Sequence, residues 1–280
     1  MRISFATVDG IKTRYVHAGE GHPVFLLHGV GMSGDSFIRN LDVLGQDFHA
    51  IAPDMLGHGF TDAVDFQGGP PQLPTVKHLG RLADHLGFDK YSVAGSSYGG
   101  LIAALMALDR PAQVENLIII GSGSVFHPAD DQVTTLKAVF ANASQAMGDP
   151  TYESCRQRMA NICFDPKAVD ERVLISQLTS YADPTRFDAY KATINGMIDA
   201  ADSNVHRVHK RLEDIKTRTL ILTGREDIRA KIKLHEEGRH RIPNARIVVF
   251  EKCSHMPMME YPERFNATLK DFLQGKTVGD

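Results

Sequence analysis

Apolar residues gather along this chain in short β-rich runs separated by longer stretches with helical spacing. Eight runs stand out: ISFATV, TRYVHA, PVFLLH, FHAIAPD, YSVAGS, NLIIIGS, TLILTG and RIVVFE. From the third onward each is followed by a segment of helical periodicity, which predicts a mostly parallel sheet covered on both faces. The first two flank the turn Asp9-Gly10 and predict an antiparallel hairpin at one edge. The expected fold class is α/β, an eight-stranded doubly wound sheet flanked by helices.

The rhythm breaks once, where about ninety residues separate NLIIIGS from TLILTG. Helical patterns such as DDQVTTLKAVFANASQAM and TYESCRQRMANICF fill the gap, divided by Gly148-Asp149-Pro150, Asp165-Pro166 and Asp183-Pro184. This predicts a helical cap inserted over residues 125–213 into a core formed by 1–124 and 214–280. Lying over the carboxyl ends of the strands, a cap covers the crevice where open α/β sheets bind ligands.

Composition then excludes several classes of function. With 31 basic and 34 acidic residues intermixed, a formal charge of −3 creates no field for nucleic acid or an anionic membrane. A small-molecule substrate is expected, and self-association is left open. No apolar run approaches the ~18 residues of a membrane span and no leader pattern opens the chain, so cytoplasmic residence is expected. Cys155, Cys163 and Cys253 make neither an even framework nor a C-x-x-C pair, and read as small buried side chains in a reducing compartment. HEEGRH, from His235 to His240, looks like a zinc helix. Its histidines are five apart, about 140° around a helix, so they cannot share a face. A solvated helix face is expected there, with no metal and no cofactor.

The strongest chemical signal is Gly95-Ser96-Ser97-Tyr98-Gly99, a G-x-S-x-G between a predicted strand and a predicted helix. In that context a sharp turn lifts a serine hydroxyl above the sheet. A serine needs a base, and the base needs an orienting acid. His255 lies in the loop after the last strand, and Asp227 in the loop after the strand before it. The order Ser97, Asp227, His255 puts all three at carboxyl ends of strands. Glu226 is the competing acid.

Residues 29 to 34, GVGMSG, match dinucleotide-binding spacing, with Asp54 where a ribose-binding acid would stand. That reading leaves Ser97, Asp227 and His255 without a role. Serine attack on a carbonyl creates an oxyanion, which calls for the Tyr98 N–H and an N–H from the turn after the third strand. Val30 is the expected second donor, with His28, Gly29 and Gly31 shaping the turn. Asp54 then braces the loop beside the site.

Taken together, LLHGVG, APDMLGHGFTD, VAGSSYGG, LTGREDI and SHMPMMEYPERF resemble the α/β-hydrolase fold family from Val24 to Leu273. Within it, IKTRYVHAGEGHPV and APDMLGHG are similar to the meta-cleavage-product hydrolases, serine enzymes of aromatic degradation that hydrolyse a carbon–carbon bond in a vinylogous diketone. That resemblance implies a cap arginine for the substrate carboxylate and a tryptophan just after the catalytic histidine. Here the register brings Gln177 to the arginine position, and Met256-Pro257-Met258 follow His255 in a chain without tryptophan. A neutral glutamine cannot replace a bidentate guanidinium; Arg156, Arg158, Arg172 and Arg186 are the cap arginines able to substitute.

This departure shifts the expectation toward an uncharged ester or lactone, hydrolysed through an acyl-enzyme. A C–C bond hydrolase acting on a 2-hydroxy-6-oxo-dienoate is the alternative, and a small-molecule receptor on a hydrolase scaffold is the reading from another class. Gln177, Met256, Met258 and Phe126 are the candidate pocket residues, with Phe140, Met147, Met159 and Phe164 as further apolar walls or cap packing.

Overall fold

A computed structural model describes residues 1–279. All eight apolar runs form strands: β1 (Arg2–Val8), β2 (Ile11–Ala18), β3 (Pro23–Leu27), β4 (His49–Pro53), β5 (Tyr91–Ser96), β6 (Val114–Ile120), β7 (Arg218–Gly224) and β8 (Ala245–Phe250). They make one sheet in the order β1-β2-β4-β3-β5-β6-β7-β8. The hairpin turns at Asp9 and Gly10, both at positive φ (50° and 84°), as a two-residue connection of right-handed strands requires. β1 and β2 pair antiparallel, β2 meets β4 antiparallel, and β3 to β8 run parallel.

The helices are α1 (Leu41–Leu44), α2 (Gln72–His85), α3 (Tyr98–Asp109), α4 (Gly123–Phe126), α5 (Ala129–Gly148), α6 (Tyr152–Ala160), α7 (Glu171–Tyr181), α8 (Thr185–Asp199), α9 (Ile232–Arg241), α10 (Pro257–Glu260) and α11 (Pro262–Leu273). β3 and β5 are buried along their whole length, which is why they read as unbroken apolar runs rather than alternating ones. α3 is buried from Tyr98 through Ala107, so no polar stripe marks it in the sequence. None of the described helices is long and apolar enough to cross a membrane.

Two features of this topology position the site. Strand order reverses at β3, which lies between β4 and β5, so the chain leaves its carboxyl end toward one side and returns on the other. Such a switch point opens a crevice between the loops after β3 and β5. The segment between β6 and β7 supplies the second feature, because α4 to α8 all fall within it. Its breaks fall where the proline and glycine signals stand: α5 ends at Gly148, and α7 and α8 meet across Asp183-Pro184.

One local expectation is corrected. HEEGRH lies on α9, yet His235 is fully buried against Phe126, with ring centroids 4.6 Å apart, and is not on a solvated face. The α9 stripe that packs on the sheet includes Gly238, whose missing Cβ would sit 2.3 Å from the Phe126 ring. Phe126 is therefore a packing residue of the α4–α9 contact.

Candidate active site

Ser97 sits between β5 and α3 at φ 54° and ψ −116°, a conformation that disfavours any residue with a Cβ. The surroundings enforce it: Ser97 N–H donates to the Ile120 carbonyl at 2.9 Å, and its carbonyl accepts from Ser122 Oγ at 2.6 Å. Glycines permit it. A Cβ on Gly95 would lie 2.0 Å from the Gly99 carbonyl oxygen, and one on Gly99 2.3 Å from that of Leu27. The spacing G-x-S-x-G is thus a steric requirement of this turn, and it leaves the Ser97 side chain half-buried above the sheet.

His255 Nδ1 stands 2.7 Å from Asp227 Oδ2. The other oxygen, Oδ1, accepts from the amides of Arg229 and Ala230 at 2.9 and 3.1 Å. Burial works to raise the Asp227 carboxyl, but the His255 imidazole and the Arg229 amide outweigh it and hold it below the usual carboxylate range. An ionised carboxylate only accepts, so the proton of the neutral imidazole sits on Nδ1 and Nε2 is left bare. Glu226, the competing acid, is turned away: it accepts from the Cys253 N–H at 2.9 Å.

Ser97 and His255 line one cavity beneath the helices of the β6–β7 segment. Among the described residues no hydrogen bond joins the hydroxyl to the imidazole. Such contacts commonly tighten only once substrate is bound. Gly29, Val30 and Met256 line the same cavity, whereas Met258 is wholly buried and its carbonyl accepts from Asn40. Phe126 and Met258, both expected in the pocket, are therefore placed elsewhere. Phe140 stacks on Tyr190, and Phe164 is exposed.

The turn after β3 is built for shape. His28 is fully buried, with Nδ1 donating to the Gly29 carbonyl at 2.8 Å and Nε2 accepting from the Met55 N–H at 3.0 Å. Gly31 has φ 69°, and a Cβ there would meet the Tyr190 ring at 2.9 Å and Arg158 Nη2 at 3.0 Å. The amides of Val30 and Tyr98 have no acceptor among the described residues. A dinucleotide finds no purchase here. A Cβ on Gly34 would fall 2.2 Å from the Ala52 carbonyl, and Asp54 is spent on the Gly34 and Phe60 amides (2.7 and 2.8 Å) and on Arg14.

Two arginines occupy the Ser97 cavity. Arg158 is 5% exposed and points Nη2 at the Val30 carbonyl, 3.3 Å away, while its Nε has no partner. Arg229 lines the same cavity; burial first, and then the positive charge of Arg158, push its guanidinium down to about 10. Its acidic neighbour is Asp227, already committed to His255. The other three arginines expected to substitute are engaged elsewhere: Arg156 with Glu153, Arg172 with Asp170, Arg186 with Asp183. Gln177 does not reach this cavity. It lines an adjoining one, across Gly31 and Met32.

Arg229 was not singled out in the sequence, where nothing distinguishes an arginine two residues after an acid. Arg158 did leave a signal. It shares the inward stripe of α6 with Cys155 and Met159, a place where a surface arginine would not be.

Fold and site together define the class. The chain matches the model of the alpha/beta hydrolase family over residues 24–268 and belongs to that family. It is an enzyme of the hydrolase class. It is 27% identical over 276 residues to 2-hydroxymuconate semialdehyde hydrolase of Pseudomonas putida, covering 94% of this chain and 91% of that one. It is likewise 27% identical over 284 residues to 2-hydroxy-6-oxo-6-phenylhexa-2,4-dienoate hydrolase of Burkholderia cepacia, covering 96% and 95%. Among solved structures it superposes on the meta-cleavage product hydrolase CumD of Pseudomonas fluorescens with a TM-score of 0.81 at 25% identity, over 97% of this chain and 98% of that one.

Proposed function

We propose that this enzyme hydrolyses the carbon–carbon bond of a meta-cleavage product, a 2-hydroxy-6-oxo-dienoate, with Ser97 as nucleophile, His255 as base and Asp227 as its orienting acid. The observation that carries the reading is the pair Arg158 and Arg229, two guanidinia without carboxylate partners in the cavity of Ser97. Arg158 is buried and Arg229 half-buried, and positive charge taken out of water without a partner is expensive, so an acidic ligand relieves it. The preference for a neutral ester rested on the glutamine at position 177, and these arginines restore carboxylate capture from other positions. The names of the relatives point the same way.

The chemistry follows from the charges. His255 Nε2 takes the Ser97 proton as Oγ attacks the ketone carbon, and the Val30 and Tyr98 amides hold the oxyanion. The dienol has first to ketonise, its hydroxyl proton passing to the carbon beside the ketone; collapse then breaks the bond to that saturated carbon, whose electron pair spreads through the remaining double bond onto the 2-oxo oxygen beside the carboxylate. Arg158 and Arg229 face that developing negative charge, so they act on the transition state as well as on binding. That oxygen takes up the proton held by His255, water activated by His255 releases the acyl group from Ser97, and a carboxylic acid and a hydroxydienoate leave. The helices of residues 125–213 act as a cap that excludes bulk water from these steps.

The test is loss of the yellow chromophore of a ring-fission dienoate, compared with turnover of p-nitrophenyl acetate. Wild type is expected to cleave the dienoate and Ser97→Ala to abolish it. Arg158→Gln and Arg229→Gln should each lower kcat/KM for the dienoate by about 10- to 100-fold, the equivalent of ~1.5–3 kcal/mol for a charged hydrogen bond, and lower ester turnover far less. Turnover of esters with no cleavage of any dienoate refutes the proposal.

A further inference from the structure

The loop after β6 contributes none of Ser97, Asp227 and His255, yet it lies against all three. Gly121 has φ 48°, and a Cβ on it would stand 3.2 Å from Asp227 Oδ2 and 3.6 Å from His255 Nδ1. Ser122, the next residue, is fully buried, and its hydroxyl donates to the Ser97 carbonyl at 2.6 Å. That carbonyl also accepts from the Gly100 and Leu101 amides at 2.9 and 3.3 Å, both within the first turn of α3. Among the described residues, Ser122 supplies its only bond from outside that turn. Gly100 makes the room, since a Cβ there would lie 2.7 Å from the Ser122 Cβ and 3.0 Å from its Oγ.

The Ser97 carbonyl and the Tyr98 N–H belong to one planar peptide group. The peptide is trans, so the two bonds point in opposite directions. Tyr98 opens α3, which leaves its N–H without a partner inside the helix. Resonance couples the two ends: a hydrogen bond accepted by the oxygen draws electron density from the nitrogen and makes the N–H a stronger donor. The same bond fixes the plane, and with it the direction of the N–H.

We propose that Ser122 is a positioning residue of the oxyanion hole, holding and polarising the Ser97–Tyr98 peptide so that the Tyr98 N–H meets the oxyanion as it forms. The proposal rests on the reading of Ser97 as nucleophile and of the Tyr98 N–H as oxyanion donor, and holds for carbon–carbon and ester cleavage alike. Ser122 does not line the Ser97 cavity, so it acts through the peptide and on no substrate atom. Its effect grows as charge builds on the substrate oxygen and therefore falls on kcat more than on KM. Losing an oxyanion donor outright costs about 10²–10³ in kcat. Ser122 tunes a donor that stays in place, so Ser122→Ala should lower kcat for p-nitrophenyl acetate by about tenfold, with KM within about twofold of wild type.

The test reads the oxyanion itself. Trifluoroacetophenone offers a ketone carbon to Ser97 Oγ: the O–C bond forms, the carbonyl π pair moves onto oxygen, and the Ser97 proton passes to His255. Fluorine NMR across pH then follows the ionisation of the hemiketal oxygen. Wild type is expected to hold it as the oxyanion well below the pH at which the hydrated ketone ionises in water. Ser122→Ala should raise that ionisation by about one pH unit, the counterpart of a tenfold loss in kcat. Ser122→Cys, similar in size and a weaker donor, should fall between, and it carries the comparison if Ser122→Ala fails to fold. A purely structural role would displace Ser97 Oγ and reduce the amount of adduct, while the adduct that forms would ionise as in wild type. That result, or an unchanged kcat in Ser122→Ala, overturns the proposal and leaves the reading of Ser97 standing. A wild-type enzyme that forms no adduct overturns both.

Discussion

Replacing Glu260 by glutamine tests how the candidate base is held. The Glu260 carboxylate joins two segments that lie far apart in the sequence. Oε1 accepts from the amides of Ser254 and Met256 at 2.9 and 3.4 Å, on either side of His255. Oε2 accepts from Phe164 and Asp165 at 2.6 and 3.4 Å, in the stretch that follows α6. The same seam is closed by the His255 N–H on the Ile162 carbonyl, 3.0 Å away. A glutamine keeps the shape, but either orientation turns an NH₂ group toward two backbone N–H donors.

The loss per charged hydrogen bond is about 1.5–3 kcal/mol, so Glu260→Gln should destabilise the fold by about 2–4 kcal/mol, read as a shift in urea midpoint. The catalytic consequence is separate. A base displaced by about 1 Å loses on the order of a hundredfold in rate, so kcat should fall by about 10- to 100-fold in protein that remains fully folded, with KM changed much less. Turnover of p-nitrophenyl acetate at a temperature well below the transition gives both numbers. A Glu260→Gln enzyme that loses stability but keeps kcat within about twofold of wild type would show that the clamp is structural only and that His255 is positioned by Asp227 alone.

Ser97→Gly should abolish turnover and raise stability by about 1–3 kcal/mol in urea melts, because only the glycine relieves the strain at φ 54°; Ser97→Ala should show no comparable gain. Gly31→Ala should cut activity strongly by driving the turn from Tyr190 and Arg158, and activity equal to wild type would remove the steric argument at that position. His28, His58 and His235 are buried as neutral rings with ionisation pushed to about 4, 3 and 4. Below their ordinary value of 6.5 the unfolded chain binds protons that the folded one refuses, so stability is complete above pH 6.5 and falls as pH drops toward 4. Each ring contributes about 1.4 kcal/mol per pH unit, about 4 for the three together, and urea midpoints that stay flat between pH 7 and 5 would contradict their neutral burial.

What the sequence disclosed and what it hid divide along physical lines. The strands and the serine turn are legible because their causes are local: unbroken apolar runs for strands buried on both faces, and glycines where a Cβ would strike a carbonyl. The loops carrying Asp227 and His255 are legible because strand ends in a parallel sheet share one edge. Gln177 was misplaced because register along a helix does not say which neighbour its face meets. The buried side of α7 includes Val173, Leu174, Gln177, Ser180 and Tyr181, and Ser180 binds the Gly59 carbonyl. That contact turns the face toward the loop after β4 and away from Ser97. Arg229 was invisible because its half-buried place in the Ser97 cavity depends on the path of the loop after β7.

The Ser97 cavity holds an excess of donors and positive charge: the Arg158 and Arg229 guanidinia, and the Val30 and Tyr98 amides, which have no acceptor among the described residues. A neutral ester with apolar groups at both ends would leave that excess unmet, whereas a carboxylate meets it. On the proposed reading, orientation matters more for carbon–carbon cleavage than for ester hydrolysis, because the departing carbon must have its conjugated oxo group and carboxylate aligned with the cations as the bond breaks.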